Sequence, residues 1–310
     1  MKELKEAVLK TLLFFDIFNY PLTVLEIHRF LFTPYKFSFQ EVWQVLEELL
    51  KEGKLSQKNN FFYPKGQEIN VLLRLKRYRL AQKKIRKAKI ICSILKTFPF
   101  IKGIAICNTL SYFNAKEKSD IDLFIIGKKN LWTIRFFCLS FLKVLKQRPS
   151  PIKTKDKICL SFFLTPLKFD LRDISLKENK KISDPYLIFW LATLYPIYNE
   201  EEIFDDFFRR NSWLKSFLAN FYPIFLFRSD KLNTFTKLVK RIFEFIFHFS
   251  FFESFFRFLQ VKLMPKELLF LASQREGVIL EKELLKFHQR DQRTHFKEIF
   301  EKKIINYENS

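Results

Sequence analysis

The chain has 310 residues, 48% of them hydrophobic and 28% charged, enough apolar material for packed cores, which excludes a disordered protein. Its formal net charge of +22 favours polyanionic partners such as nucleic acid, nucleotides or an anionic membrane surface; AT-rich coding, which enriches lysine and phenylalanine and leaves only five glycines, is an equally open explanation of that charge. No uncharged apolar run reaches the ~20 residues of a spanning helix, the closest being 186–199, broken by Pro196, and 216–227, broken by Pro223.

The first segment, MKELKEAVLKTLLFF, places Leu4, Val8, Leu12 and Phe15 at helical spacing with acids interspersed, which predicts an amphipathic helix over 2–18 and no secretion signal. Asn19, Tyr20 and Pro21 stop it, and Thr23 can cap a short helix over 24–32 carrying His28, which is expected to pack on the core. Ser38 followed by Glu41 is a capping-box pattern for a third helix ending near Gly53, and 54–56 with 61–63 fit a small hairpin. Three helices and a hairpin in that order resemble a winged-helix domain over residues 1–66, a family whose third helix usually enters the major groove. The outward positions of that helix, Gln40, Glu41, Gln44, Glu47 and Glu48, include acids that repel phosphate, so a structural or partner-docking role is expected in preference to duplex binding.

Residues 67–97 form a basic linker helix whose run RLKRYRLAQKKIRKAK spreads positive charge over most of its surface. Two uses stand side by side: contact with phosphates, or a solvated linker that packs Leu75, Leu80 and Ile85 on the next domain.

The segment IKGIAICNTLSYFNAKEKSDIDLFIIG reads as a strand over 101–107, a polar turn at Asn108 and Thr109, a short crossing, and a strand over 121–126 entered through Ser119 and Asp120. Side chains two apart on a strand share a face, ~6–7 Å apart, so Asp120 and Asp122 stand side by side and repel one another unless neutralised. A divalent cation resolves the conflict, since Mg²⁺ takes one or two protein carboxylates and leaves its other positions to water and phosphate. The plainer reading is a polar turn leading into a buried strand.

Here the chain resembles the DNA polymerase β-like nucleotidyltransferase superfamily over about 98–165, whose signature is Gly-Ser at the end of one strand and Asp-x-Asp on the next. The resemblance implies two Mg²⁺ ions held by Asp120 and Asp122 as catalytic residues, nucleoside triphosphate contacts from Asn108, Thr109 and Ser119, and transfer of a nucleoside monophosphate to an acceptor hydroxyl. Two departures stand out. Asn108 and Thr109 replace Gly-Ser, keeping a hydroxyl but losing the glycine. The strand over 157–164 has no acid where the family places a third carboxylate, its same-face positions being Lys157, Cys159, Ser161 and Phe163. Asp156, Asp170 and Asp173 are acids further along the chain that could take that place; without one, turnover would be slow or absent, the alternative being a fold that binds nucleotide or nucleic acid without catalysis.

A crossover helix over 131–147 and a basic loop over 148–156 complete a core assigned to 98–180. Cys92, Cys107, Cys138 and Cys159 are widely spaced in apolar surroundings, without metal-ligand spacing, as in a reduced, cytoplasmic protein. Residues 181–310 read as a helical domain: Asp184 caps a helix with Pro185 at its first position, a second helix covers 203–218, and a phenylalanine-rich helix covers 237–264. The last carries Lys237, Arg241, Glu244 and His248 as one polar stripe, and either packs in a bundle or lies in a lipid interface, making a peripheral membrane protein. Glu244 and Glu253 would oppose an anionic surface, which favours burial. The tail over 267–307 reads as a helix-loop-helix, with His288, Asp291 and His295 too poorly supported by a second carboxylate to make a metal site. The fold class is α+β: a small mixed sheet with flanking helices, an amino-terminal winged helix-like unit and a carboxy-terminal helical unit.

Overall fold

The computed structural model describes residues 2–150, 153–224, 232–274, 277–288 and 291–308. Pro151 of the basic loop and the end of the 216–227 apolar run lie outside them.

The chain begins with α1 (Lys2–Asp16), α2 (Val24–Arg29), α3 (Phe39–Lys51) and the hairpin β1 (Leu55–Lys58) and β2 (Phe61–Pro64). Thr23 and Ser38 each close a full capping box, with Glu26 and Glu41 reaching back to the cap backbone, so the local signals alone set both helix starts. On α3, Gln40, Glu41, Gln44 and Glu47 are exposed, while Glu48 is half-buried against Lys5 at 2.8 Å. His28 is only half-buried, with Nε2 at 3.0 Å from the Phe37 carbonyl.

The linker helix α4 (Ile69–Leu95) buries some of its cations. Arg74 forms a bidentate pair with Glu26 at 2.8 and 2.9 Å and stacks 4.0 Å over Tyr20; Arg77 donates to the Phe18 carbonyl and to Asn114. Leu75, expected to pack inward, is exposed, while Ile85 is buried as expected. The guanidiniums suit this inner face because each finds carbonyl or carboxylate acceptors at fixed positions. Lys76, Arg79, Lys83 and Arg86 remain outside.

The centre is a six-stranded mixed sheet built from β3 (Ile101–Ile106), β4 (Ile121–Gly127), β5 (Ile158–Leu164), β8 (Tyr195–Asn199), β9 (Val278–Leu280) and β10 (Leu284–Phe287), in the order β8-β3-β4-β5-β10-β9. Among the described residues only β4 and β5 are parallel neighbours, and α5 (Leu131–Val144) crosses between them. The two-residue strands β6 (Lys177–Glu178) and β7 (Lys181–Ile182) pair apart from this sheet. Alternation along each strand sends Phe124, Ile126, Phe162 and Leu284 to one face, against α1, α6 (Pro185–Ala192) and α7 (Ile203–Arg210), and Leu123, Ile125, Phe163 and Leu285 to the other, against α4 and α5. Buried on both faces, β4 reads as a continuous apolar run after Asp122.

The carboxy-terminal half departs from the helical expectation. β8 joins one edge of the sheet and the β9–β10 pair lies at the other, where a helix-loop-helix was expected, and only α11 (Arg293–Glu308) follows as a helix. The 203–218 helix stops at Arg210 and continues as a 3₁₀ turn, and the phenylalanine-rich segment is divided between α8 (Thr234–Ile246) and α9 (Ser250–Lys262), followed by α10 (Lys266–Gln274). Asp184 caps α6 as predicted, accepting from the Leu187 N–H at 2.9 Å.

Candidate carboxylate site at the end of the sheet

The site forms where β3 ends and β4 and β5 begin. The Cys107 N–H donates to the Asp122 carbonyl at 3.1 Å, the last rung between β3 and its neighbour, and the chain then turns through Asn108 at a φ of +58°, a left-handed conformation that asparagine tolerates better than most residues. On the other side, the Ile121 N–H donates to the Lys157 carbonyl at 2.8 Å, setting Asp122 directly opposite Cys159. One carboxylate oxygen each from Asp120 and Asp122 and the Cys159 Sγ all lie within 4.8 Å of one another. Sequence spacing thus correctly placed the two aspartates together.

The electrostatics of the pair are unresolved within the protein. Burial, and next the charge of Asp120, push the Asp122 carboxyl up to about 7, against hydrogen bonds from Asn108 and Cys159 that favour its charged form. Burial also raises Asp120, with Lys84 opposing it. Lys84 is already committed, pairing with Asp156 at 2.7 Å and donating to the Ser119 carbonyl at 2.5 Å. The Cys159 thiol is held far above its ordinary value, first by burial and then by the two aspartates, and stays neutral.

The other expected contacts divide. Asn108 belongs to the site: its Oδ1 accepts from the Trp190 indole at 2.9 Å, which turns its amide nitrogen to Asp122. Thr109 instead lines a cavity of about 20 Å³ among Phe14, Phe15 and Phe189, and the Ser119 hydroxyl is occupied within its own loop, donating to the Lys116 carbonyl at 2.9 Å. Trp190, 82 residues further along, carries no local signal for its role.

Among the described residues no third acid joins the group. Asp156 is held by Lys84, Asp170 by Arg172, and Asp173 by Lys168 at 3.1 Å. The expected alternation of β5 fails at Ser161: the pairing steps from Leu123–Leu160 to Phe124–Phe162, leaving Ser161 as the extra residue of a bulge. Phe162 thereby joins the face of Phe124, and Phe163 moves to the opposite core. Cys159, not Ser161, is the residue opposite Asp122.

Beyond β5 the same face opens into a cavity of about 200 Å³ whose walls include Asn108, Phe162, Tyr186, Trp190, His288 and Arg293. Lys286 lies opposite Phe162 on β10, two strands from β4 and in register with Phe124 rather than Asp122. The Tyr186 hydroxyl is raised by burial and then by Cys107 and Asp122, and its ring lines the cavity, stacked on Phe296 at 5.1 Å. Asp291 is bound by Lys286 at 2.9 Å and by Arg293. A larger cavity of about 530 Å³ is of a different kind: Lys102 and Lys240 in its wall pair with Glu201 and Glu200, and Lys237 and Arg241 stand at its side.

The donor set fits a hard divalent cation. Two carboxylates at one mouth are the ligands Mg²⁺ accepts, whereas a neutral thiol adds no oxygen and no charge. Comparisons of the chain with family models, with curated proteins and with solved structures find no match.

Proposed function

We propose that the protein is a nucleotidyltransferase-type, magnesium-dependent enzyme that binds a nucleoside triphosphate at Asp120 and Asp122 and turns it over slowly. The observation that carries the reading is the Asp120–Asp122 pair itself: two carboxyls held together against their own repulsion, with the nearest lysine shared with Asp156. Bound Mg²⁺ would supply the missing positive charge and polarise the triphosphate. The Asn108 hydrogen bond favours the charged form of Asp122, and the aromatic cavity beside it suits the base: at about 200 Å³ it falls below the ~300–1,000 Å³ of sites for larger ligands and matches one flat ring system.

In the reaction the acceptor hydroxyl oxygen bonds to the α-phosphorus, the bridging oxygen to the β-phosphorus takes the electron pair of the broken bond, and pyrophosphate leaves. The hydroxyl proton passes to water, because Cys159 is a neutral thiol where a carboxylate would take it. The exposed cations of α4, Lys76, Arg79, Lys83 and Arg86, suit a polyanionic acceptor such as nucleic acid. We read the amino-terminal helices and hairpin as a winged helix-like docking unit, since its third helix presents acids.

The test is Cys159→Asp, which should raise transfer of label from radiolabelled nucleoside triphosphate to RNA or small hydroxyl acceptors by ~10²-fold or more, while Asp122→Asn removes both transfer and the thermal stabilisation by Mg²⁺ with nucleotide. Stabilisation that persists in Asp122→Asn would place the nucleotide elsewhere. Nucleotide binding without any transfer, even in Cys159→Asp, would leave a binding protein on the same site.

A further inference from the structure

Helices α8 to α10 present a surface that the fold does not cover. Between 235 and 270, twelve large apolar side chains are exposed, with Phe235, Phe245, Phe251, Phe258 and Phe270 each 64–76% open. Single exposed apolar residues are ordinary, but twelve on three consecutive helices mark a docking site. On α8 the exposed positions Phe235, Leu238, Ile242 and Phe245 follow helical spacing, and on α9 Phe251, Phe255 and Phe258 do the same, so each helix offers one outward stripe.

The charges on these helices are sorted by sign. Glu244 points inward and accepts from the Phe100 N–H at 2.9 Å. Glu253 also points inward and caps α5, accepting from the N–H groups of Trp132 and Thr133 at 2.9 Å and from the Thr133 hydroxyl at 2.7 Å. The two acids expected to repel an anionic surface therefore face the core. Lys237, Arg241, Arg257, Lys262 and Lys266 are exposed beside the phenylalanines, with Glu267 as the one exposed acid of the three helices. No helix among the described residues is long and apolar enough to cross a membrane.

We propose that the α8–α10 face lies in the plane of an anionic lipid surface, with its phenylalanines at the boundary between headgroups and acyl chains and its lysines and arginines on the headgroup phosphates. The occupant follows from charge complementarity. A second copy of the chain would bring the same cations against one another, whereas anionic lipid offers both the apolar depth and the opposite charge. This placement is independent of what the Asp120–Asp122 site binds.

The probe is co-flotation of the full chain with vesicles of equal parts phosphatidylglycerol and phosphatidylcholine, and with phosphatidylcholine alone. Wild type should float with the anionic vesicles, less at high salt, and poorly with the neutral ones. The triple variant Phe245→Ser/Phe251→Ser/Phe258→Ser and the charge variant Lys237→Glu/Arg241→Glu/Lys262→Glu should each lose at least about tenfold in binding. Because the altered side chains point outward, unfolding transitions of both variants should match wild type; if the phenylalanine variant misfolds, the charge variant alone decides. The proposal is overturned if wild type ignores anionic vesicles, if both folded variants bind as well as wild type, or if light scattering shows a dimer that the phenylalanine changes dissolve without any vesicle binding.

Discussion

His288 follows β10 with its ring 6.5 Å from that of Phe162, and its Nδ1 is buried with no hydrogen-bond partner among the described residues. Burial first, and then the positive charge of Lys286, hold its pKa down to about 4 from the ordinary 6.5; Asp291 pulls it back and Arg293 adds to the depression. At 1.36 kcal/mol per pH unit, that difference corresponds to about 3 kcal/mol. The folded pKa lies below the unfolded one, so stability is intact above about pH 6.5, falls as the unfolded chain takes up a proton the folded one refuses, and levels off below about pH 4. His288→Phe keeps an aromatic ring beside Phe162 while removing both the titration and the orphaned nitrogen. The variant should be at least as stable as wild type at neutral pH, and its advantage should grow by about 3 kcal/mol on acidification to about pH 4. Urea unfolding of both proteins at closely spaced pH values measures this, because carboxylates that titrate in both largely cancel in the difference. A wild-type-minus-variant difference that stays flat across this range refutes the argument that the cavity wall excludes charge at His288.

Two further substitutions test the packing around the candidate site. In a chelator, Asp122→Asn should melt above wild type at pH values beyond about 7, because the raised pKa of Asp122 means its stability contribution is present at low pH and lost as pH rises through that value; a variant that melts lower there contradicts the strained pair. Glu253→Ala should cost about 3 kcal/mol or more in urea unfolding, since it strands the buried donors of Trp132 and Thr133, with Glu253→Gln milder; a loss under about 1 kcal/mol for alanine would mean that the α5 cap is dispensable.

Features governed by near neighbours were readable from the chain alone. The caps at Thr23, Ser38 and Asp184 depend on groups within three residues. The strands β3, β4 and β5 announce themselves as apolar runs bounded by polar turns, and Asp120 and Asp122 come together because a strand repeats every two residues. The rest required distant partners. β8, β9 and β10 are only three to five residues long and are strands because the edges of the sheet leave unpaired backbone groups for them to meet. The bulge at Ser161 moves Phe162 onto the Phe124 face, which no alternation rule anticipates. Asn108 is aimed at Asp122 by an indole 82 positions away. Glu244 and Glu253 turn inward because donors at Phe100, Trp132 and Thr133, more than a hundred residues earlier, need acceptors, and that tertiary choice leaves the phenylalanines and cations of α8 to α10 outside.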